Sequence, residues 1–206
     1  MNNNKFSYLI VFVSSLIMTG CGGQNNNSNS SDSSKSGNLF EQAMISGIKE
    51  FDDHHYEKAV AYFEKAKQIE PKNGDSYGWL ASTFQKSKEY VKAELNYQEA
   101  IKLSPNNFEF RLNYARLLAT CPDNQIRNGT KALELAKQLI DKNLDPNLEP
   151  NILATIAYSY AEVGQFDEAV QMMQKSIDHP NLPADLKTTG KERLELFKNK
   201  KVFRLD

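Results

Sequence analysis

The stretch YEKAVAYFEKAKQIEP at residues 56–71 recurs, residue class for residue class, as YVKAELNYQEAIKLSP at residues 90–105. Each copy begins with Tyr, carries Ala, an aromatic residue and a second Ala at the same spacings, and ends with Pro. All matched positions are separated by the same offset as the two prolines, Pro71 and Pro105. A fixed period of about 34 residues indicates a chain built from one repeated supersecondary unit. Because each unit of such a stack packs only against its neighbours, one long surface stays available to a partner.

The recurring residues have the spacing of a helical face. Ala59, Phe63 and Ala66 stand at i, i+4 and i+7, which lie on one side of an α-helix. The small Ala side chains let a second helix approach closely, and the aromatic residue fills the space between units. Pro71 cannot continue the helix, so it fixes the turn into the next unit.

This pattern resembles the tetratricopeptide repeat, in which W-x2-L-G-x2-Y on a first helix precedes A-x3-F and P on a second. The first-helix half is partly met. In the second unit the places of W, L, G and Y are taken by Tyr77, Leu80, Ala81 and Phe84. In the first unit they are taken by Ala43, Ser46, Gly47 and Glu50, of which only the Gly fits well. The resemblance implies an all-α, right-handed solenoid of about four helix pairs with a C-terminal capping helix.

The remaining units follow the same theme with more drift. A helix over 108–119 carries Leu112, Ala115 and Leu118, and its partner helix follows Asn128-Gly129-Thr130 after an unusually long loop. We place the repeats at about 40–73, 74–107, 108–147 and 150–183, within a domain spanning 39–206. The segment at about 184–200 reads as a cap, which terminal repeats need to cover their last core edge. Sustained alternation of apolar and polar residues, the signal of a strand, is absent.

Residues 1–20 have the composition of an export signal. Lys5 is the only charged residue before position 21, and the mostly apolar run extends only from Phe6 to Met18. A run of that length is too short to span a bilayer and is typical of a secretory signal peptide. We therefore assign residues 1–20 to a signal peptide.

The end of this signal, Met18-Thr19-Gly20-Cys21, resembles the lipobox of bacterial lipoproteins. The resemblance implies cleavage before Cys21 and acylation of that residue, which would anchor the protein firmly through several chains. The other interpretation is an ordinary cleaved signal followed by an incidental Cys. In Gram-negative bacteria the Gly at position 22, where an Asp would favour retention in the inner membrane, implies the outer membrane.

Residues 21–38 predict a flexible tether between this anchor and the folded domain. From Gly22 onward they consist of Gly, Ser, Asn and a few other polar residues, with no apolar side chain to pack a core. Without Lys5 the chain has 24 basic residues, one fewer than 25, against 26 acidic ones. This slightly negative balance argues against a nucleic-acid partner and against an electrostatic membrane face.

Two groups of residues invite a chemical interpretation. Asp52-Asp53-His54-His55 could be read as a metal cluster, but the predicted turn there explains exposed polar residues, and adjacent histidines rarely share one ion. Cys121 could be a nucleophile, yet no His lies near it in sequence. No recognisable phosphate loop, paired-carboxylate motif or catalytic triad order accompanies them. We therefore predict no metal site, no cofactor and no enzymatic activity.

The resemblance also indicates which residues could hold a partner. In tetratricopeptide repeats the first helix of each unit lines a groove, and its positions that do not face the core point into that groove. The best anchors among them are Phe51, Trp79, Asn113, Arg116 and Tyr158, since aromatic residues and Arg are common anchors of interfaces. The alternative for Phe51 and Trp79 is that they fill irregular gaps between units.

The combined features favour a non-catalytic adaptor in the bacterial cell envelope. It would be lipid-anchored, at the outer membrane and facing the periplasm, and it would bind a protein or peptide. It resembles the small repeat lipoproteins that assist pilus secretins, cell-wall hydrolases or outer-membrane machinery. The first rival is an envelope protein that senses or carries a small molecule or peptide, and the second is an envelope enzyme.

Overall fold

A computed structural model describes residues 30–140, 146 and 148–205 of the 206-residue chain. Over these residues the secondary structure is entirely helical, without a strand. The helices are α1 (Ser30–Asp52), α2 (Tyr56–Ile69), α3 (Gly74–Lys86), α4 (Tyr90–Leu103), α5 (Phe108–Thr120), α6 (Gly129–Ile140), α7 (Glu149–Glu162), α8 (Phe166–Asp178) and α9 (Ala184–Lys198). The predicted all-α class is confirmed.

The repeat-defining side chains form the contacts between helices. Ala59, Phe63 and Ala66 are fully buried on α2. Their equivalents on α4 are buried as well: Ala93, Tyr97 and Ala100. Gly47 on α1 lies so close to α2 that a Cβ added there would stand 2.5 Å from the ring of Phe63. The small residues of the pattern therefore mark places where two helices touch.

The helices stack in chain order. The pairs α1–α2, α3–α4, α5–α6 and α7–α8 each pack internally, and α9 packs on α8. The first helices of the pairs also meet one another, α1 with α3, α3 with α5, and α5 with α7. These four helices, α1, α3, α5 and α7, present a common side of the stack, which we call the first-helix face.

The beginning of α1 corrects part of the predicted tether. The helix starts at Ser30, so residues 30–38 of the predicted tether are helical. Adding a residue to an existing helix costs far less than nucleating one. The packed part of α1 provides the nucleus, so a polar segment without a core of its own can continue the helix.

Several sequence predictions concern residues that the structure does not describe. The signal peptide, the acylation of Cys21 and the tether residues 21–29 all lie outside the described residues. Among the described helices, none combines the length and the apolar character needed to cross a bilayer.

The long loop between α5 and α6 is tied to both neighbouring units. Ile126 is buried, and the backbone N–H of Asn128 donates to the carbonyl of Leu118 at 2.8 Å. The Arg127 guanidinium donates to the carbonyl of Cys121 at 3.0 Å and to Glu162 of α7 at 2.7 Å. The loop thus links the C-terminal ends of α5 and α7, two first helices that contribute to the candidate functional site described next.

Candidate functional site

Two of the five predicted groove residues belong to the core. Trp79 is only 4% exposed and stacks on Phe63 with ring centroids 5.4 Å apart. Phe51 is 7% exposed and meets Trp79 edge to face at 5.4 Å. The assignment of Phe51 and Trp79 as accessible anchors is therefore wrong, and the gap-filling alternative describes them. Burial of such large rings between α1, α2 and α3 stabilises the stack more than their exposure would.

Asn113 supports its neighbour instead of facing a partner. It is 9% exposed, and its side-chain oxygen accepts a hydrogen bond from Arg116 Nη2 at 2.5 Å. This bond fixes the Arg116 guanidinium at the first-helix face of α5, where Arg116 is partly exposed. The pKa of Lys86 on α3 is lowered, first because its ammonium group is buried and second because the positive charge of Arg116 repels it.

Arg116 of α5 and Tyr158 of α7 line one cleft. The cleft holds about 740 Å³ of empty space, including the part that opens to solvent. Thr155 and Tyr158 of α7 form one wall, and Arg193 of α9 forms another. Phe203, which follows α9 in the chain, also borders the space. The site is thus built from α5, α7, α8, α9 and the segment after α9.

The chain after α9 turns back over the first-helix face. We call residues 199–205 the return segment. Lys200 has a φ of +53°, an uncommon value for a non-glycine residue, and this reverses the chain direction at the end of α9. The residues beyond it are extended or irregular rather than helical. At the far end the N–H of Leu205 donates to the carbonyl of Thr120, the last residue of α5, at 2.9 Å.

Phe203 holds the middle of the return segment against α7 and α9. Its ring centroid lies 5.3 Å from that of Tyr158. The Arg193 guanidinium carbon stands 4.2 Å from the Phe203 ring centroid, a cation–π geometry. Arg193 is 8% exposed and donates from Nη1 to the carbonyl of Thr189 at 2.9 Å. One ring of the return segment therefore lies between an aromatic side chain and a buried cation.

Arg204 completes an ion cluster at the C-terminal end of α7. Its Nη2 atom lies 2.7 Å from Glu162 Oε2, while Arg127 Nε lies 2.7 Å from Glu162 Oε1. The Glu162 side chain is mostly buried, so both guanidinium groups compensate a carboxylate that has lost much of its water. Glu162 is thus an acidic residue on the first-helix face that pairs both with Arg127 of the α5–α6 loop and with Arg204 of the return segment.

Sequence reasoning missed the return segment. The predicted cap ended near residue 200 and left the last residues unassigned. The available signal was the run Val202-Phe203-Arg204-Leu205, in which apolar residues reappear directly after the polar Asn199-Lys200-Lys201. Such a run is too short for a packed helix but sufficient for an extended segment that lies on a surface.

Cys121 and His55, the residues considered above for catalysis or metal binding, both make contacts within the fold. Cys121 is buried, and burial raises the pKa of its thiol, which disfavours the nucleophilic thiolate. His55 Nδ1 lies 2.9 Å from Glu50 Oε2 at the turn between α1 and α2. Within the part of the chain that the structure describes, no three His, Cys, Asp or Glu side chains converge in a way that could hold a metal ion.

Comparison with known proteins identifies the repeats. The family model of the tetratricopeptide repeat matches residues 55–73, 74–107 and 150–178. These segments are tetratricopeptide repeats, and they include both copies of the pattern at 56–71 and 90–105. The comparison with curated proteins gave no significant match.

Solved structures with the same fold include those of three other proteins. PilF of Pseudomonas aeruginosa aligns with a TM-score of 0.63 at 17% identity, over 81% of this chain and 76% of its own. PilW, described as a widely conserved type IV pilus biogenesis factor, aligns with a TM-score of 0.63 at 18% identity, over 79% and 76%. YrrB, a tetratricopeptide-repeat protein with an unusual peptide-binding site, gives 0.58 at 23%, over 78% and 76%. These likenesses show the tetratricopeptide-like solenoid fold.

Proposed function

We propose that this protein is a non-catalytic adaptor of the bacterial cell envelope that binds an extended segment of a partner protein across α5 and α7. The observation that carries the proposal is the return segment. The first-helix face of α5 and α7 holds a non-helical stretch of chain through side-chain contacts at Tyr158 and Glu162. A surface that accommodates one extended segment has the shape and chemistry to accommodate another.

The fold and its relatives support the same function. Tetratricopeptide repeats build extended surfaces that bind peptides or proteins. YrrB has a peptide-binding site, and PilW serves type IV pilus biogenesis, so both illustrate the use that this fold serves in other chains. We infer a partner in the envelope because the Phe6–Met18 run and Cys21 predict export and lipidation.

A second candidate function rests on the cleft beside the return segment. Two guanidinium groups, Arg116 and Arg193, border the same cleft together with Thr155 and Thr189. Such a lining suits a small acidic ligand with an apolar portion. The protein would then sense or carry this ligand. Mass spectrometry of the natively purified protein separates the two functions, because a carrier retains a small molecule and an adaptor retains a protein segment.

A charge reversal on the face tests the adaptor function. The full chain with Arg116→Glu is compared with the wild type and with Leu95→Glu, a position 61% exposed on α4, after crosslinking in native membranes. We expect the wild type and Leu95→Glu to recover the same protein complex and Arg116→Glu to lose it. Recovery of the chain alone in all three cases, or equal recovery from all three, would contradict the proposal.

A further inference from the structure

We propose that the α5–α7 face recognises an extended peptide in which an aromatic residue is followed by Arg, and that Phe203-Arg204-Leu205 occupies this site until such a peptide displaces it. This inference rests on the proposed function, which it deepens by naming the chemistry of the partner segment. The three residues are consecutive in the chain. The side chains of Phe203 and Arg204 each have a partner group on the face, and Leu205 is held through its backbone N–H.

The aromatic position is defined by two different side chains. Tyr158 offers a ring 5.3 Å from that of Phe203, and Arg193 offers a cation 4.2 Å from the ring centroid. The Arg193 Nε atom is buried and has no hydrogen-bond partner among the described residues, so the π-face of the ring is its main compensation on that side. An aliphatic side chain fills the same space but offers no electron-rich face to the guanidinium.

The basic position is defined by Glu162. Its Oε1 atom accepts a hydrogen bond at 2.7 Å from Arg127, which belongs to the loop between α5 and α6. Its Oε2 atom lies 2.7 Å from Arg204 Nη2 in an ion pair and accepts no hydrogen bond from the described residues. When Arg204 leaves, Arg127 remains to compensate the buried Glu162, so the open site does not contain an isolated charge. A peptide with an acidic residue at this place would instead set two carboxylates against each other.

The last position fixes the direction of the bound chain. The N–H of Leu205 donates to Thr120 at the end of α5, while Phe203 contacts α7 and α9. The segment therefore runs from α9 across α7 to α5. Its residues 202–205 are only partly buried and belong to no helix, so they can leave without opening the helix pairs beneath them.

Displacement is the natural consequence of this arrangement. A segment linked to its own binding face competes at a high effective concentration. The apparent affinity for an outside peptide then falls by the fraction of molecules whose face is open. A return segment docked in about nine molecules of ten weakens an outside peptide about tenfold.

The test uses the full chain and a fluorescent peptide with the sequence of residues 200–206, KKVFRLD. Its binding is measured by anisotropy to the wild type, to the double variant Phe203→Ser with Arg204→Ser, and to Lys201→Ser, whose side chain is exposed. We expect the double variant to bind the peptide at least about tenfold more tightly than the wild type. The Lys201→Ser protein should behave as the wild type, and a peptide with Glu in place of the Arg should lose at least about tenfold in affinity.

Hydrogen exchange provides a second readout that does not depend on a variant. The Leu205 amide should be protected in the wild type and should exchange faster when excess peptide is added. Equal peptide affinity for the wild type and the double variant, binding to neither, or an unprotected Leu205 amide would each overturn the inference. A wild-type dimer with the segment docked on a second copy would overturn it too. The adaptor function is tested independently by the loss of the crosslinked complex in Arg116→Glu. That result can support the adaptor function even if the peptide experiment contradicts this inference.

Discussion

Single small residues determine how closely the helices approach. Gly78 on α3 faces the ring of Phe110 on α5, and a Cβ added at Gly78 would overlap that ring. Gly37 on α1 has nothing within 4 Å of the same added atom. The two glycines thus have opposite roles in the same type of secondary structure.

Gly78→Ala should therefore destabilise the protein by about 1–3 kcal/mol, the usual cost of overpacking. Gly37→Ala should be neutral or stabilising by about 0.5–1 kcal/mol, because Ala is the better helix former and meets no neighbour. Urea unfolding followed by circular dichroism measures both. Equal destabilisation by the two changes would mean that the contact between Gly78 and Phe110 is not formed.

Trp79 provides a second test at this scale. Because its ring is packed between Phe51 and Phe63, Trp79→Ala should lower the free energy of unfolding by about 3–5 kcal/mol. Tyr62→Ala, at an exposed aromatic position on α2, should change it by no more than about 0.5 kcal/mol. A Trp79→Ala protein that kept its stability and lost only partner binding would show that Trp79 is a groove residue and not a core residue.

At the scale of helices, the N-terminal ends of α3 and α5 bring two acidic residues near each other. Desolvation of the Glu109 carboxyl, followed by the charge of Asp75, raises the pKa of Glu109 to about 7 from an ordinary value of 4.5. The folded protein therefore prefers Glu109 protonated. Its ionisation carries no cost to stability below about pH 4.5, a growing cost up to about pH 7, and the full cost above that.

Glu109→Gln should consequently raise the melting temperature relative to the wild type at pH 8 and leave it nearly unchanged at pH 4.5. The difference between variant and wild type isolates this residue from the other titrating groups. Glu168→Gln, an exposed acidic residue in the first turn of α8, is the matched control and should show no such dependence. A melting-temperature gain at pH 4.5 as large as at pH 8 would exclude ionisation as its cause.

The sequence predicts well those elements whose pattern repeats. The pattern Ala59, Phe63 and Ala66 on α2 recurs at the same spacing on α4. Because the same spacing places the same residue types on the buried face of both helices, it predicts the same helix–helix contact in both units. Trp79 was ambiguous because a first-helix position can face either the groove or the neighbouring unit, and only packing decides between them. Residues 202–205 lacked any periodicity because their contacts, with Thr120, Tyr158 and Glu162, are all distant in the chain.

At the scale of the whole molecule, the proposed anchor makes its own prediction. If Cys21 is the acylation site, Cys21→Ala should abolish incorporation of a labelled fatty acid and leave an uncleaved or unlipidated protein. Cys121→Ala should retain the label, since that thiol is buried in the folded domain. Persistent labelling of the Cys21→Ala protein would rule out lipidation at this residue.

The central claim is that a partner binds across α5 and α7, and site-specific photo-crosslinking tests it most directly. A photoreactive amino acid is placed at Ala154, which lines the cleft on the first-helix face of α7, or at Leu95, exposed on α4, in the full chain within its native membranes. We predict one discrete crosslinked protein from position 154 and none from position 95, with the crosslink mapped to a short segment of the partner. A discrete product from position 95 alone, or from neither position, would contradict the account.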